Sequence, residues 1–173
     1  AIAEVYTAEF ELNVGLSPHI VMDGGERELG RGLSGDVILK YALQQQRYQW
    51  IFGAHTGLSW LRSWEDSAPV EGYVFPLMIL SGVGTRGPGV FQFSFTVAAG
   101  PAIGLYNDQL SGMQMRIAIA GRAGVGMEIH LVSDFRAEVR AAAYVLQEGA
   151  GTNWGFMPSL LFAFSPMDIN RRR

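Results

Sequence analysis

Eight times along this 173-residue chain, apolar and polar side chains alternate with a period of two, and no helical period of comparable strength competes. Such alternation makes strands with one apolar face. The first segment, Tyr6 to Leu16, sets Tyr6, Ala8, Phe10, Leu12, Val14 and Leu16 against Thr7, Glu9, Glu11, Asn13 and Gly15. The others run over 33–43, 48–60, 73–83, 91–105, 113–131, 135–145 and 155–164. The fifth is the most regular, with Phe91, Phe93, Phe95, Val97, Ala99, Ile103 and Leu105 facing away from Gln92, Ser94, Thr96, Ala98, Gly100, Ala102 and Gly104. Eight such segments separated by turn residues predict an all-β fold, an eight-stranded antiparallel up-and-down barrel.

The direction of the apolar face follows from volume. The interior of an eight-stranded barrel is only wide enough to be filled by side chains. The apolar faces carry too many Phe, Leu, Ile, Met, Trp and Tyr residues to fit there, whereas the opposite faces are rich in Gly, Ala, Ser and Thr. A soluble barrel that buries its apolar face is therefore disfavoured, and a transmembrane barrel that turns it to lipid is expected. No uninterrupted apolar run approaches the roughly 18 residues of a membrane helix, so any span must be built from strands.

Charge obeys the same parity. Every charged residue within the eight segments falls on the small-residue face, as lipid exposure would require, since a charge at mid-bilayer costs about 2–4 kcal/mol on a barrel's exterior. Glu9, Glu11, Asp36, Glu128 and Glu138 oppose Lys40, Arg116, Arg122, Arg136 and Arg140, which predicts a balanced ion network inside the lumen. Toward the other end the lumen is expected to be less charged, lined by Val74, Met78, Gly100, Ala102, Ala118, Ala142, Tyr144 and Met157. The segments imply short turns at 44–47, 85–89 and 132–134, and longer, more polar loops at 17–32, 62–71, 107–112 and 147–154. With short turns periplasmic, Tyr6, Tyr41, Tyr48, Trp50, Phe91, Phe135 and Phe164 make one aromatic belt, and Trp60, Tyr73, Tyr106, Trp154 and Phe156 the outer one. Residues 1–164 form the barrel on this reading, and 165–173 a periplasmic tail or the remnant of a linker.

Gly124-Val125-Gly126-Met127-Glu128-Ile129-His130-Leu131 through Phe135-Arg136-Ala137-Glu138-Val139-Arg140 resembles the penultimate hairpin of the small OmpA-like and opacity-like outer-membrane barrels. The last segment, Phe156 to Phe164, is similar to the aromatic-ended signal recognised by the barrel assembly machinery. The resemblance implies a bacterial outer-membrane protein, with that machinery and outer-membrane lipids as partners and the loops at 17–32 and 62–71 open to an extracellular one.

Chemistry is sparse. The chain has no cysteine, and His19, His55 and His130 lie too far apart in the pattern for a metal site, so no metal or cofactor is expected. A net charge of −3 gives no case for nucleic acid. Lipid A deacylases of this size use a His and a Ser two residues apart on the lipid face; His55 is followed two places on by Gly57. Palmitoyltransferases use a His with an Asp-Ser pair at the extracellular mouth, residue types present as His19, Asp66 and Ser67. Pro76 and Pro101 in neighbouring segments cannot donate ladder hydrogen bonds, marking a lateral seam, and Pro158 is a further weak point. Two readings of function stay open: a non-enzymatic structural or surface-interaction barrel with a charge-plugged lumen, and a carrier of lipid or other hydrophobic molecules, or a palmitoyltransferase-like enzyme, using the less charged chamber.

Overall fold

The computed structural model describes residues 7–23, 29–45, 47–63, 70–85, 91–108, 112–132, 135–149 and 151–168. They form eight strands: β1 (Thr7–Asp23), β2 (Leu29–Gln45), β3 (Tyr48–Ser63), β4 (Glu71–Thr85), β5 (Phe91–Asp108), β6 (Gly112–Val132), β7 (Phe135–Glu148) and β8 (Gly151–Asp168). Each strand pairs antiparallel with its sequence neighbours, and β8 returns to β1, so the sheet closes into a barrel without an edge at mid-height.

The registers fix the stagger. A path across the strands from Glu11 passes through Lys40, Gly53, Leu80, Ala98, Arg122, Tyr144 and Gly155 and returns to β1 at Val21, ten residues higher. An even displacement is what lets in–out alternation survive closure, and barrels of this kind tilt their strands by about 35–45°. Ile38, Leu80 and Leu161 point inward and are buried, whereas Leu39, Ile79 and Leu160 point outward and are exposed. The soluble-barrel alternative is thereby excluded. Exposed apolar side chains cover most of the exterior, including Phe93, Phe95, Ile103 and Val125, which water would not tolerate as one continuous surface.

On β3, Trp50 and Trp60 both face outward. Their separation of ten residues, at about 3.3 Å each and a tilt near 40°, spans about 25 Å of axis, the height of a barrel's apolar band. Tyr41, Tyr48, Phe91, Phe135 and Phe164 join Trp50 in the lower belt, at the end where β1 begins and β8 ends, while Tyr73, Trp154 and Phe156 join Trp60 in the upper one. Tyr6 lies outside the described residues. Tyr106 does not belong to the upper belt: it points into the lumen and is fully buried, because it shares the parity of Ala102 and Gly104.

The upper connections are shorter than the sequence pattern implies. β1 continues through Pro18 to Asp23 and β2 starts at Leu29, so most of 17–32 is strand; the outward series Pro18, Ile20, Met22 carries the alternation past the proline. β7 and β8 meet at Glu148↔Gly151, where Gly149 takes φ 56, a conformation that suits glycine. At the lower end β8 runs to Asp168 against Glu9, so 165–168 are strand and not tail.

The ladder is interrupted at three places in the upper half. Between β4 and β5 it stops at Pro76↔Ala102 and resumes at Ile79↔Ala99, with no change of register. Between β3 and β4 it skips from Thr56↔Leu77 to Ser59↔Val74. Between β1 and β8 it skips from Leu16↔Leu160 to Ile20↔Phe156, the stretch in which Pro18 stands opposite Pro158. Proline supplies no N–H at any of these points. The backbones nevertheless stay close, since a Cβ added to Gly100 would lie 2.1 Å from the carbonyl oxygen of Leu77.

Candidate functional site

The lumen is filled by three polar layers. The lowest is an ion network. Arg136 reaches from β7 to Glu11 and Glu128, at 3.0 Å each, and also to Glu9. Lys40 Nζ lies 2.7 Å from Glu138 Oε2 and 3.1 Å from Glu11 Oε1, and Arg140 Nη2 donates to Glu138 Oε1 at 2.7 Å. Gln44 and Asn13 donate to Glu9 and Glu11, both at 2.6 Å. Lys40, Glu138 and Arg140 are almost wholly buried, so each charge is held by partners and not by solvent.

The middle layer is built on Asp36. Its carboxylate accepts from Ser17 and from His55 Nε2 at 2.9 Å, and forms an ion pair with Arg122, whose Nη1 is 3.3 Å away. Arg122 also donates to Ser159 at 2.7 Å. Beside this group, His19 Nε2 contacts Ser34, and Ser34 Oγ lies 2.6 Å from Ser59 Oγ. The top layer is Tyr106, whose hydroxyl donates to Glu148 and whose ring lies over Gly72 and Gly104. Any side chain larger than hydrogen at those two glycines would collide with the ring.

Next to the Asp36 layer is a cavity of ≈ 50 Å³. His19, Asp36, His55, Ser59, Arg122 and Tyr144 give it a polar side; Leu61, Val74, Pro76, Met78, Leu146 and Met157 give it an apolar one. His19 Nδ1, His55 Nδ1, Arg122 Nε and the Tyr144 hydroxyl are buried there without a hydrogen-bond partner among the described residues. A space of this size takes a few water molecules, at about 10–15 Å³ each, and not an acyl chain.

Glu9, Glu11, Asp36, Lys40, Arg122, Glu128, Arg136, Glu138 and Arg140 thus all reach the lumen network. Arg116 does not. It sits on the stretch of β6 above Ile119, where β7 has ended, and its exposed guanidinium reaches Gln114 at 3.2 Å. The expected balance of five charges against five is therefore not kept: Arg116 leaves the set, and among the described residues the buried Glu148 adds a carboxylate to it. Of the expected chamber residues, Val74, Met78, Tyr144 and Met157 line the cavity, while Ala102, Ala118 and Ala142 are buried in the wall and Gly100 lies against Leu77. Pro76 faces the cavity and Pro101 faces out.

His19 is not a loop residue but a lumen one, on the inward parity of β1; Asp66 and Ser67 lie outside the described residues. The His19–Ser34 contact lacks what a nucleophilic serine needs, because no carboxylate meets His19 Nδ1. Among the described residues no group of three His, Asp or Glu side chains is arranged to hold a metal ion. Sequence reasoning missed the serines at 17, 34 and 159 and the lid at Tyr106, and the signal for all four was present in the parity of their strands.

This stacking fills an eight-stranded closed barrel with an apolar, aromatic-belted exterior, and solved structures of outer-membrane proteins share that fold. Neisserial surface protein A matches with a TM-score of 0.62 at 7% identity, over 91% of this chain and 97% of that one. The outer membrane enzyme PagL matches at 0.54 with 12% identity, covering 88% and 98%. Ail, the attachment invasion locus protein of Yersinia pestis, matches at 0.51 with 15% identity, covering 91% and 99%. No family model and no curated protein matches the sequence. Because a surface protein and an enzyme share this fold, the fold alone does not decide activity.

Proposed function

We propose that this chain is a non-enzymatic outer-membrane barrel, closed through its lumen, that serves as a structural or surface-interaction protein with its upper rim facing the exterior. The observation that carries this is the crossing of the lumen by three polar layers, ending in the Tyr106–Glu148 lid. A conducting pore needs a continuous water path, and the lower network alone ties β1, β2, β6 and β7 together by charge-assisted bonds. Orientation rests on β1 beginning and β8 ending at the lower end, the end of the short β2–β3 connection, since barrels of this kind keep their short turns on the periplasmic side. A partner then meets the connections above the upper belt, including those between β1 and β2 and between β3 and β4. Insertion by the barrel assembly machinery is supported by the outward Phe156, Leu160, Phe162 and Phe164 of β8. Planar-bilayer recording tests the closed lumen: the expected result is no large stable opening, and sustained ohmic conductance from wild-type protein overturns it.

A second reading, a carrier that admits a hydrophobic molecule sideways, is favoured by one observation: the interrupted β4–β5 ladder lies at the level of the cavity, which Pro76 and Met78 line. The palmitoyltransferase-like form of that reading loses support from the position of His19 inside the barrel.

A further inference from the structure

Met78 and Met157 are the two buried methionines among the described residues, and both line the cavity beside the Asp36 layer; Met22, Met113 and Met115 face outward. Each buried methionine stands beside a histidine. Met78 on β4 is the Cα partner of His55 on β3. Met157 on β8 falls opposite His19 on β1, because the register is the same at both ends of the skipped stretch, Leu16↔Leu160 and Ile20↔Phe156. Two His–Met couples thus border one cavity, from the β3–β4 and the β1–β8 sides of the wall.

The histidines bring lone pairs to the same place. His55 Nε2 lies 2.9 Å from Asp36 Oδ1, and a carboxylate only accepts, so Nε2 carries the proton and Nδ1 keeps its lone pair. Ser34 can accept the Nε2–H of His19 while donating to Ser59 at 2.6 Å, which leaves His19 Nδ1 in the same state. His19 and His55 are only 6% and 2% exposed, and neither Nδ1 has a hydrogen-bond partner among the described residues. Tyr144 packs edge-on against the His19 ring at 4.8 Å and helps to fix its plane. A carboxylate behind the imidazole, as Asp36 stands behind His55, is the support that orients a metal-bound histidine.

Donor type selects the ion. Thioether sulfur selects copper(I), and imidazole serves copper as well. Zinc is held by four His, Cys, Asp or Glu ligands, and among the described residues no three such side chains are arranged for a metal. Arg122 also borders the cavity, with Asp36 3.3 Å away to answer its charge; the repulsion it exerts on an ion is half as large for a single as for a double charge. A space of ≈ 50 Å³ admits an ion, and methionine's unbranched chain can swing its sulfur toward it.

We infer that His19, His55, Met78 and Met157 form a lumen site for a soft monovalent metal ion, copper(I) or its analogue silver(I). The site is independent of any partner at the upper rim. Native mass spectrometry tests it, on barrel refolded into detergent with silver nitrate or zinc nitrate in chloride-free buffer and then desalted. Loading during refolding gives the ion access to a lumen that is closed in the folded barrel. Wild-type protein is expected to retain one silver ion per barrel and to hold zinc far more weakly. M78L/M157L, which keeps the apolar volume and removes both sulfurs, weakens silver binding about tenfold, one decade of affinity. H19Q abolishes retention, and M113L/M115L, on the outer surface, leaves it intact. Heat-modifiability of M78L/M157L stays that of wild type, so that loss of metal is not loss of fold. The inference is overturned if wild-type protein retains no silver, if it holds zinc as tightly as silver, or if M78L/M157L or H19Q retains silver as wild type does, which would place the ion elsewhere on the chain.

Discussion

Lys40 Nζ lies 2.7 Å from Glu138 Oε2, joining β2 to β7 across the lumen with both side chains almost wholly buried. Taking Glu138 away leaves Lys40 and Arg140 facing each other in a water-poor interior. Breaking a buried pair in this way costs about 3–5 kcal/mol, more than replacing both members does. Glu138→Ala is therefore expected to lower the temperature at which the barrel shifts on heat-modifiability gels. Combining it with Lys40→Met is expected to recover part of that loss. Equal melting of Glu138→Ala and wild type would show that water screens the network.

The two inward tyrosines make a paired test, because the same loss of a hydroxyl has opposite signs at the two sites. Tyr106 donates to Glu148, which is buried beneath the lid. Tyr106→Phe strands that carboxylate and is expected to cost about 1–3 kcal/mol in urea unfolding. The Tyr144 hydroxyl is buried without a hydrogen-bond partner among the described residues. Tyr144→Phe removes an unsatisfied group and is expected to leave stability unchanged or raise it. A larger loss at Tyr144 than at Tyr106 would contradict the assigned hydrogen bonds.

What was legible in the sequence was parity, and what was not was where parity stops. Strand alternation is a local property, so the in–out assignment of Lys40, Arg122 and Glu138 could be read from neighbours two residues away. Strand ends depend on the stagger of a closed barrel, which is a property of all eight strands together. Pro18 therefore read as the start of a loop, although its outward face needed no N–H partner on the skipped β1–β8 ladder. For the same reason Arg31 and Arg62 read as loop residues although both lie on paired strands, and Arg116 reads as a lumen residue although its side chain is exposed. Tyr106 differs for another reason: a tyrosine at belt height has the residue type of a belt, whereas its parity turns it into the lumen. The cross-lumen pairing of Asp36 with His55, Ser17 and Arg122 joins three other strands to β2 and has no sequence signature.

Glycine at 100 is required by proximity. A Cβ there would meet the Leu77 carbonyl oxygen at 2.1 Å and the Met78 Cα at 2.9 Å, both backbone atoms that cannot rotate away. Gly35, with nothing within 4 Å of an added Cβ, is the control. Gly100→Ala is expected to push β4 from β5 and to lower refolding yield, whereas Gly35→Ala is expected to be neutral or stabilising by up to about 1 kcal/mol, since alanine loses less chain entropy on folding. Parallel refolding into detergent, followed by heat-modifiability, measures both; equal yields would mean that the strands separate there without cost.

The interrupted β4–β5 ladder also separates the two functional readings. Four residues, Leu77, Met78, Gly100 and Pro101, lie in the break, and the cavity behind it is bordered by Pro76 and Met78. At ≈ 50 Å³ that cavity cannot hold an acyl chain until side chains such as Met78 and Met157 rotate, and methionine, with three rotatable bonds, does so readily. Pro76→Ala with Pro101→Ala returns two N–H donors and permits the ladder to close. If the barrel is a carrier, wild-type protein in nanodiscs takes up a spin-labelled fatty acid into an immobilised environment, and the double variant does so several-fold more slowly with unchanged melting. If the barrel is a closed surface protein, neither shows an immobilised signal, and this is the expected outcome, because the cavity's polar side, with Asp36, His55 and Arg122, disfavours a hydrocarbon chain. An immobilised signal in wild type that the prolines control would replace the closed-barrel reading with the carrier.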